Sequence, residues 1–208
     1  MIVVVEQHNA HTYAKLIDEM FRLRARIFRD RLKWDVEVAD GRERDRYDDA
    51  GPVYIIYADD EGGSVKGSLR LLPTTGPTVL GDFFADTMPD AAQLCAPTIW
   101  ECTRFCLDDK ILDGEQDEVL FTSAILIAAL GDVAMKAGIE SIVANFDAPM
   151  LRLYRRIGCE VEVLGSTSRY ERPIYLGLFP VSEPILRRVK ERLQNARSPS
   201  AKIPEMAA

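Results

Sequence analysis

Residues 116–137 restrict the fold more than any other segment. Val119, Leu120, Phe121, Ile125, Leu126, Ile127 and Leu130 fall on nearly every side of a helix. Such a helix has to be covered by other elements. Gly138 stops it, and residues 139–146 read as a strand. An apolar helix that runs straight into a strand calls for a sheet with that helix laid on it.

The rest of the chain supplies the partners. Residues 12–29 read as a helix, with Leu16, Ile17, Met20, Leu23, Ile27 and Phe28 at helical spacing and Thr12 as the expected N-cap. Residues 30–51 are charged and apolar-poor, a long loop of the kind that is functional or mobile. Strands are expected at 52–59 and 64–72 around an acidic, glycine-containing turn. Short helical pieces follow at 79–94, then a central strand at 98–106. A helix at 149–156 is stopped by Gly158, with strands at 160–164 and 172–178 and a last helix at 183–193. There is no internal repeat. The expectation is a single domain over 1–195 with a disordered tail at 196–208. Strands interleaved with helices predict an α/β (α+β) sandwich, a mixed central sheet with helices on both faces. Acyltransferases of the GNAT type have this order, but the order selects no activity.

Composition excludes more than it assigns. Acidic residues number 33 against 26 basic, a net charge of −7, which disfavours a nucleic-acid partner. The longest unbroken apolar run, 124–130, is too short to cross a membrane. The N-terminus lacks the features of a signal peptide, so the expected location is the cytoplasm. Cys95, Cys102, Cys106 and Cys159 form no C-x-x-C pair, and His8 and His11 lie far from them. No metal site is expected, and the thiols read as reduced, packed side chains.

Several polar residues do not suit a plain core. Arg24 shares the apolar stripe of its helix with Met20 and Phe28, so it needs a buried anionic partner. Trp34 precedes an acidic cluster of Glu43, Asp45, Asp48 and Asp49. A Trp ring can cover a cationic ligand, and carboxylates can hold its positive groups or pair with Arg24. The central strand carries Glu101-Cys102-Thr103-Arg104-Phe105. Glu101 and Arg104 are an odd number apart, so one cleft can use both only if the strand is irregular. Arg70 is available to partner an acidic group. A structural ion pair of Glu101 with Arg70 or Arg104 is an equal reading of these residues alone. Arg152, Arg155 and Arg156 share one side of a helix, either as an ordinary solvated face or as a patch for an acidic carrier.

The words F-R-L-R-A-R-I-F (21–28), R-L-K-W-D-V-E (31–37), D-G-R-E-R-D-R-Y-D (40–48), G-S-L-R-L-L-P-T (67–74) and E-C-T-R-F (101–105) resemble the acyl-homoserine-lactone synthases, the autoinducer synthases of bacterial quorum sensing. The family's invariant set corresponds to Arg24, Phe28, Trp34, Asp45, Asp48, Arg70, Phe84, Glu101 and Arg104. The resemblance spans about 3–180 and is tightest in the first half.

It implies a GNAT-like fold with a V-shaped cleft between two parting strands. It also implies transfer of an acyl group from acyl carrier protein or acyl-CoA to S-adenosylmethionine, a substrate rather than a cofactor, with release of methylthioadenosine. Glu101 is the expected base, with Arg104 as its catalytic companion. Arg24, Phe28, Trp34, Asp45, Asp48, Arg70 and Phe105 form the adenosylmethionine side. The acyl pocket is assigned to Phe84, Trp100, Ala144, Phe146, Met150 and Tyr154, and carrier docking to Arg152, Arg155 and Arg156. Ala144 stands where members preferring 3-oxo chains often have Thr. That change, with bulky Phe146 and Tyr154, points to an unsubstituted short or medium chain. The competing readings are a GNAT-type N-acyltransferase using acyl-CoA on another amine, and a non-catalytic binding domain. Carrier protein versus coenzyme A and the oligomeric state stay open at this level.

Overall fold

The computed structural model describes residues 1–59, 63–88 and 91–195; the expected tail at 196–208 and most of the 59–63 turn lie outside them. Seven strands form the main sheet: β1 (Ile2–Val5), β4 (Val53–Ala58), β5 (Val65–Pro73), β6 (Ile99–Leu107), β7 (Ser141–Phe146), β8 (Glu162–Thr167) and β9 (Ile174–Pro180). Their order across it is β1-β4-β5-β6-β7-β9-β8. Only the central β6–β7 pair is parallel; its neighbours are antiparallel. The mixed sheet is as expected. β1 is not among the expected strands, because its four residues are all apolar and show no alternation. The strand is covered and pairs with β4, so both of its faces are apolar.

Helices cover both faces. Helix α1 (Ala14–Arg24) lays Leu16, Met20 and Leu23 on one face, against Val3, Val5, Tyr54 and Ile56. Its N-cap position is Tyr13 with no side-chain cap, not Thr12. The helix widens into a π-helical turn, Ala25–Arg31, which still buries Ile27 and Phe28. Two short helices, α2 (Val79–Phe83) and α3 (Asp109–Leu112), flank β6 in the chain. Helix α4 (Gln116–Lys136) covers the other face with Ala124, Ile125 and Leu126 over Ile55, Leu69 and Leu71. Taken over its whole length rather than as an unbroken run, α4 is long and apolar enough to cross a membrane. Here it lies between the sheet and α6 (Glu183–Asn195), which accounts for its all-round apolarity. Helix α5 (Ala148–Ile157) starts at the Asp147 cap and ends at Gly158, whose φ of +106° suits glycine.

The long 30–51 segment is more ordered than expected. Strands β2 (Val38–Ala39) and β3 (Arg42–Glu43) pair across the two-residue turn Asp40-Gly41. Both turn residues have positive φ (+51° and +76°), the Asp-Gly pattern of a tight hairpin. A 3-10 turn, Arg46–Asp49, follows under a capping box of Asp45 and Asp48.

Two irregularities in β6 create the site. Its parallel ladder with β7 holds only from Ile99–Ser141 to Glu101–Val143. Beyond that point the two strands no longer pair with each other, though each keeps its outer neighbour, so the centre of the sheet opens as a V. On its other edge β6 sets Arg104 and Phe105 against the single residue Leu69 of β5, a β-bulge. Arg104 sits at φ +53° in the bulge, a conformation costing a non-glycine residue about 1–2 kcal/mol. The bulge turns Arg104 to the face that carries Glu101 and Thr103. This is the irregularity the odd spacing required.

Candidate active site

The α1 face of the sheet carries a closed network of three arginines and three carboxylates. The Arg24 guanidinium holds Asp48 with two bonds of 2.9 Å and Glu43 through Nε at 2.5 Å. Arg70 donates to Asp45 at 2.5 and 3.0 Å, to Asp48 at 2.8 Å and to Thr103 Oγ1 at 3.0 Å. Arg104 donates to Glu43 at 2.9 Å and to Asp45 at 2.8 Å. Tyr54 adds its hydroxyl to Asp48 at 2.8 Å. Burial on its own would push the Asp48 carboxyl up. The bonds and charges of Arg24 and Arg70 outweigh it and hold the group well below the usual carboxylate range.

The network shows which polar residues are available to a ligand. Arg24, Glu43, Asp48 and Arg70 have side chains 0–1% exposed, whereas Asp45 is 17% and Arg104 13% exposed. The inner four fasten the loop to the sheet, and Asp45 and Arg104 form its accessible rim. Glu43 belongs to this set although only the acidic character of the loop hinted at it; the Asp40-Gly41 turn delivers it to Arg24. Asp49 turns outward to Arg44. Beside the rim, the Phe28 ring stacks with Trp34 at 5.2 Å and lies under the Arg104 guanidinium at 5.3 Å. Trp34 is 49% exposed, so its outer face is open to a ligand.

Glu101 stands apart from this network. It is 1% exposed and makes no hydrogen bond to Arg70 or Arg104. Its oxygens instead accept the backbone N–H groups of Val79 (2.9 Å) and Leu80 (2.6 Å) at the start of α2. The alternative reading, an ion pair with Arg70 or Arg104, is not what forms; the carboxylate caps a helix instead. Burial raises the carboxyl to about 7, with the two N–H bonds opposing part of the rise. Glu101 occupies the last position at which β6 still pairs with β7, the apex of the V.

On the opposite face a narrow apolar cavity lies between the sheet, α4, α5 and α6. Cys102, Ala144, Tyr154, Phe179 and Val189 line it, and its volume is about 70 Å³. Phe146, Tyr154 and Phe179 pack edge to face at 5.0–5.7 Å. Gly177 is required under Phe146, since a Cβ there would lie 2.6 Å from the ring.

The autoinducer synthase profile matches residues 7–189. The chain belongs to the autoinducer synthases. An acyl-homoserine-lactone synthase of Rhizobium etli is 38% identical over 205 residues, 98% of this chain and 95% of that protein. One from Pseudomonas aeruginosa is 32% identical over 73% of this chain and 75% of its own length. Among solved structures, the CoA-dependent acyl-homoserine lactone synthase BjaI, with SAM and isopentyl-CoA, has a TM-score of 0.82 at 27% identity. That match covers all of this chain and 93% of the BjaI chain. A putative N-acetyltransferase from Lactobacillus plantarum shares the fold alone, with a TM-score of 0.53 at 15% identity.

Within this synthase the residues expected at the acyl pocket divide. Ala144 and Tyr154 line the cavity, while Phe146 and Met150 pack in the same core. Trp100 joins that core from β6 and donates its indole N–H to Pro97 at 3.2 Å. Phe84 does not join them. It packs on the α1 face with Leu80, Val79 and Tyr47 and against Tyr170 at 5.6 Å. Phe105 moves the other way: the bulge sets it against Tyr154 on the cavity side, 6.5 Å between rings, rather than beside Trp34. Arg152, Arg155 and Arg156 are exposed and pair with no described acidic side chain. The thiols of buried Cys102 and Cys106 and of half-buried Cys159 are raised, Cys102 and Cys159 to about 12 and Cys106 to about 11, all chiefly by loss of solvent. That suits packed rather than reactive side chains.

Proposed function

We propose that this synthase acylates the amine of S-adenosylmethionine from an acyl thioester and then closes the homoserine lactone. The observation that carries the reading is Glu101 at the apex of the V, with the ion-paired rim on one face of the sheet and the apolar cavity on the other. Glu101 is half ionised near neutrality, the property a general base needs. Asp45 and Arg104 form a cationic–anionic rim that matches the ammonium and carboxylate of an amino acid, and Trp34 offers an aromatic face to the adenosyl group or the sulfonium.

Glu101, through a water, takes the proton of the substrate ammonium. The freed amine attacks the thioester carbonyl, the tetrahedral intermediate collapses, and the thiolate leaves as the amide forms. The substrate carboxylate then attacks its own γ-carbon. A C–O bond forms, the C–S bond breaks, and neutral methylthioadenosine departs. The thiolate takes up a proton, and one proton is released over the whole reaction. Holding the substrate folded so that carboxylate and γ-carbon meet is the main requirement of the second step. The scheme draws on no resident cofactor.

The acyl chain enters the cavity beside Ala144 and Tyr154. A volume of about 70 Å³, roughly two water molecules' share of liquid, supports a short chain. The exposed Arg152, Arg155 and Arg156 fit an anionic donor, either an acidic carrier protein or the phosphates of coenzyme A. Both substrates are cytoplasmic metabolites, which supports the cytoplasm as the place of action.

The test is product identification by mass spectrometry after incubating the purified protein with S-adenosylmethionine and a panel of acyl-CoA and acyl-carrier thioesters. Acyl-homoserine lactone with equimolar methylthioadenosine is expected. Acylation of another amine without methylthioadenosine would instead establish an ordinary N-acyltransferase.

A further inference from the structure

Asn145 lies on β7 two residues past Val143, the last residue of that strand to pair with β6. It shares a face with Val143, as Thr103 shares a face with Glu101 on β6. Had the ladder continued, Asn145 and Thr103 would be neighbours. Because the strands part, they stand on opposite lips of the opening. Thr103 is engaged by Arg70 at 3.0 Å. The Asn145 amide nitrogen is buried and has no hydrogen-bond partner among the described residues.

A buried amide without a partner is unfavourable, and native chains seldom keep one without use for it. Asn and Gln amides are assigned by their partners; with none here, the observation is that the buried end of the amide is unpaired. Its place is specific. On one face of the sheet lie Glu101 and the Asp45–Arg104 rim, where the amine is held. On the other lies the apolar cavity for the acyl chain. The carbonyl that joins the two must sit in the gap between them, at the lip that carries Asn145.

We infer that the Asn145 side-chain N–H donates to the carbonyl oxygen of the acyl thioester and stabilises the oxyanion formed when the amine attacks. The inference rests on the proposed synthase reaction. No bond to Asn145 is made or broken. Its amide acts as a donor to the charge that develops. The neighbouring backbone N–H groups of the open strands supply further donors to the same oxygen.

The test uses the full-length protein and the variants Asn145→Ala, Asn145→Asp and Asn145→Gln. Steady-state kinetics are read by methylthioadenosine release with the best acyl thioester, alongside each variant's melting temperature. Asn145→Ala and Asn145→Asp should lower kcat about 100-fold, the order expected for loss of one oxyanion donor. KM for S-adenosylmethionine should stay within threefold, and melting temperature should not fall. Asn145→Gln, which keeps the donor on a longer arm, should recover part of kcat.

A kcat for Asn145→Ala within threefold of the parent protein would overturn the inference. So would a loss confined to KM for S-adenosylmethionine, which would move the amide to the other substrate, or a lowered melting temperature with kcat intact. A parent protein that acylates without releasing methylthioadenosine would overturn the synthase reading itself, and that outcome is visible before any variant is made.

Discussion

Arg24 grips Asp48 with two parallel hydrogen bonds of 2.9 Å, and both side chains are sealed from solvent. The pair joins the end of α1 to the loop that lines the site. It also explains why an arginine occupies an apolar stripe: its partner arrives from 24 residues away and is itself held by Arg70 and Tyr54.

Asp48→Asn leaves two buried guanidinium groups short of a charge. Breaking a buried pair in this way costs about 3–5 kcal/mol, so the urea midpoint should fall sharply and activity should fall with it. Asp49→Asn, at an exposed pair with Arg44, should change stability by less than about 0.5 kcal/mol. The carboxyl of Asp48 is depressed on folding. Its contribution is present above the unfolded value of about 4 and fades as pH falls below it. Acid denaturation of the parent protein should therefore show a component that is missing in Asp48→Asn.

Asp45 and Arg104 are the accessible rim of the network, so their replacement should act on substrate rather than on folding alone. Asp45→Asn keeps an N-cap for the 46–49 turn, because Asn caps as well as Asp. It should raise KM for S-adenosylmethionine about tenfold, roughly 1.4 kcal/mol, with kcat changed far less. Arg104→Lys keeps the charge but loses the fork that spans Glu43 and Asp45, and should raise the same KM at least as much. Initial-rate kinetics at saturating acyl thioester measure both.

Glu101 is predicted to set the acid limb of the pH–rate profile. Its carboxyl titrates near 7 in the folded protein, so acylation should rise with pH through about 7 and level off above it. In Glu101→Gln the limb should vanish and the rate should fall by about 100-fold or more. The same shift works against stability. The folded chain holds this proton more tightly than the unfolded chain, whose ordinary value is 4.5. Stability from Glu101 is thus fullest below that value and declines as pH rises toward 7. The Glu101→Gln substitution would not be neutral for the fold. The NH2 of the new amide faces one of the two N–H groups that the carboxylate now caps, an unmet bond costing about 1–3 kcal/mol. A parent profile that is flat from pH 5.5 to 8.5 would remove Glu101 as the base.

Ala144 lines the cavity on the strand next to Gly177, where space is short. Ala144→Val adds two methyl groups to a volume of about 70 Å³. The longest acyl chain accepted should shorten by about one to two carbons, with KM for S-adenosylmethionine unchanged; competition between acyl thioesters, read by mass spectrometry, measures it. An unaltered chain-length profile would place the acyl group elsewhere.

Much of this protein was determined by the sequence alone. Helical spacing in 14–24 and 116–136, the stops at Gly138 and Gly158, and the apolar runs of the sheet are local properties, and local physics acts on neighbours a few residues apart. Arg24 on an apolar stripe announced a buried partner for the same reason. The family words of residues 21–105 carried the activity.

Tertiary structure decided what depends on distant residues. Which carboxylates meet Arg24, and which two groups stay at the rim, follows from a hairpin turn and a loop folding back over β5. Glu101 became a cap for α2 because residues 79 and 80 come to lie over it, which no local pattern records. The opening between β6 and β7 and the bulge that re-aims Arg104 are properties of strand register, and register is settled only when the strands meet. The bulge set Phe105 on the cavity side, and the parting of β6 from β7 left Asn145 at the lip of the opening.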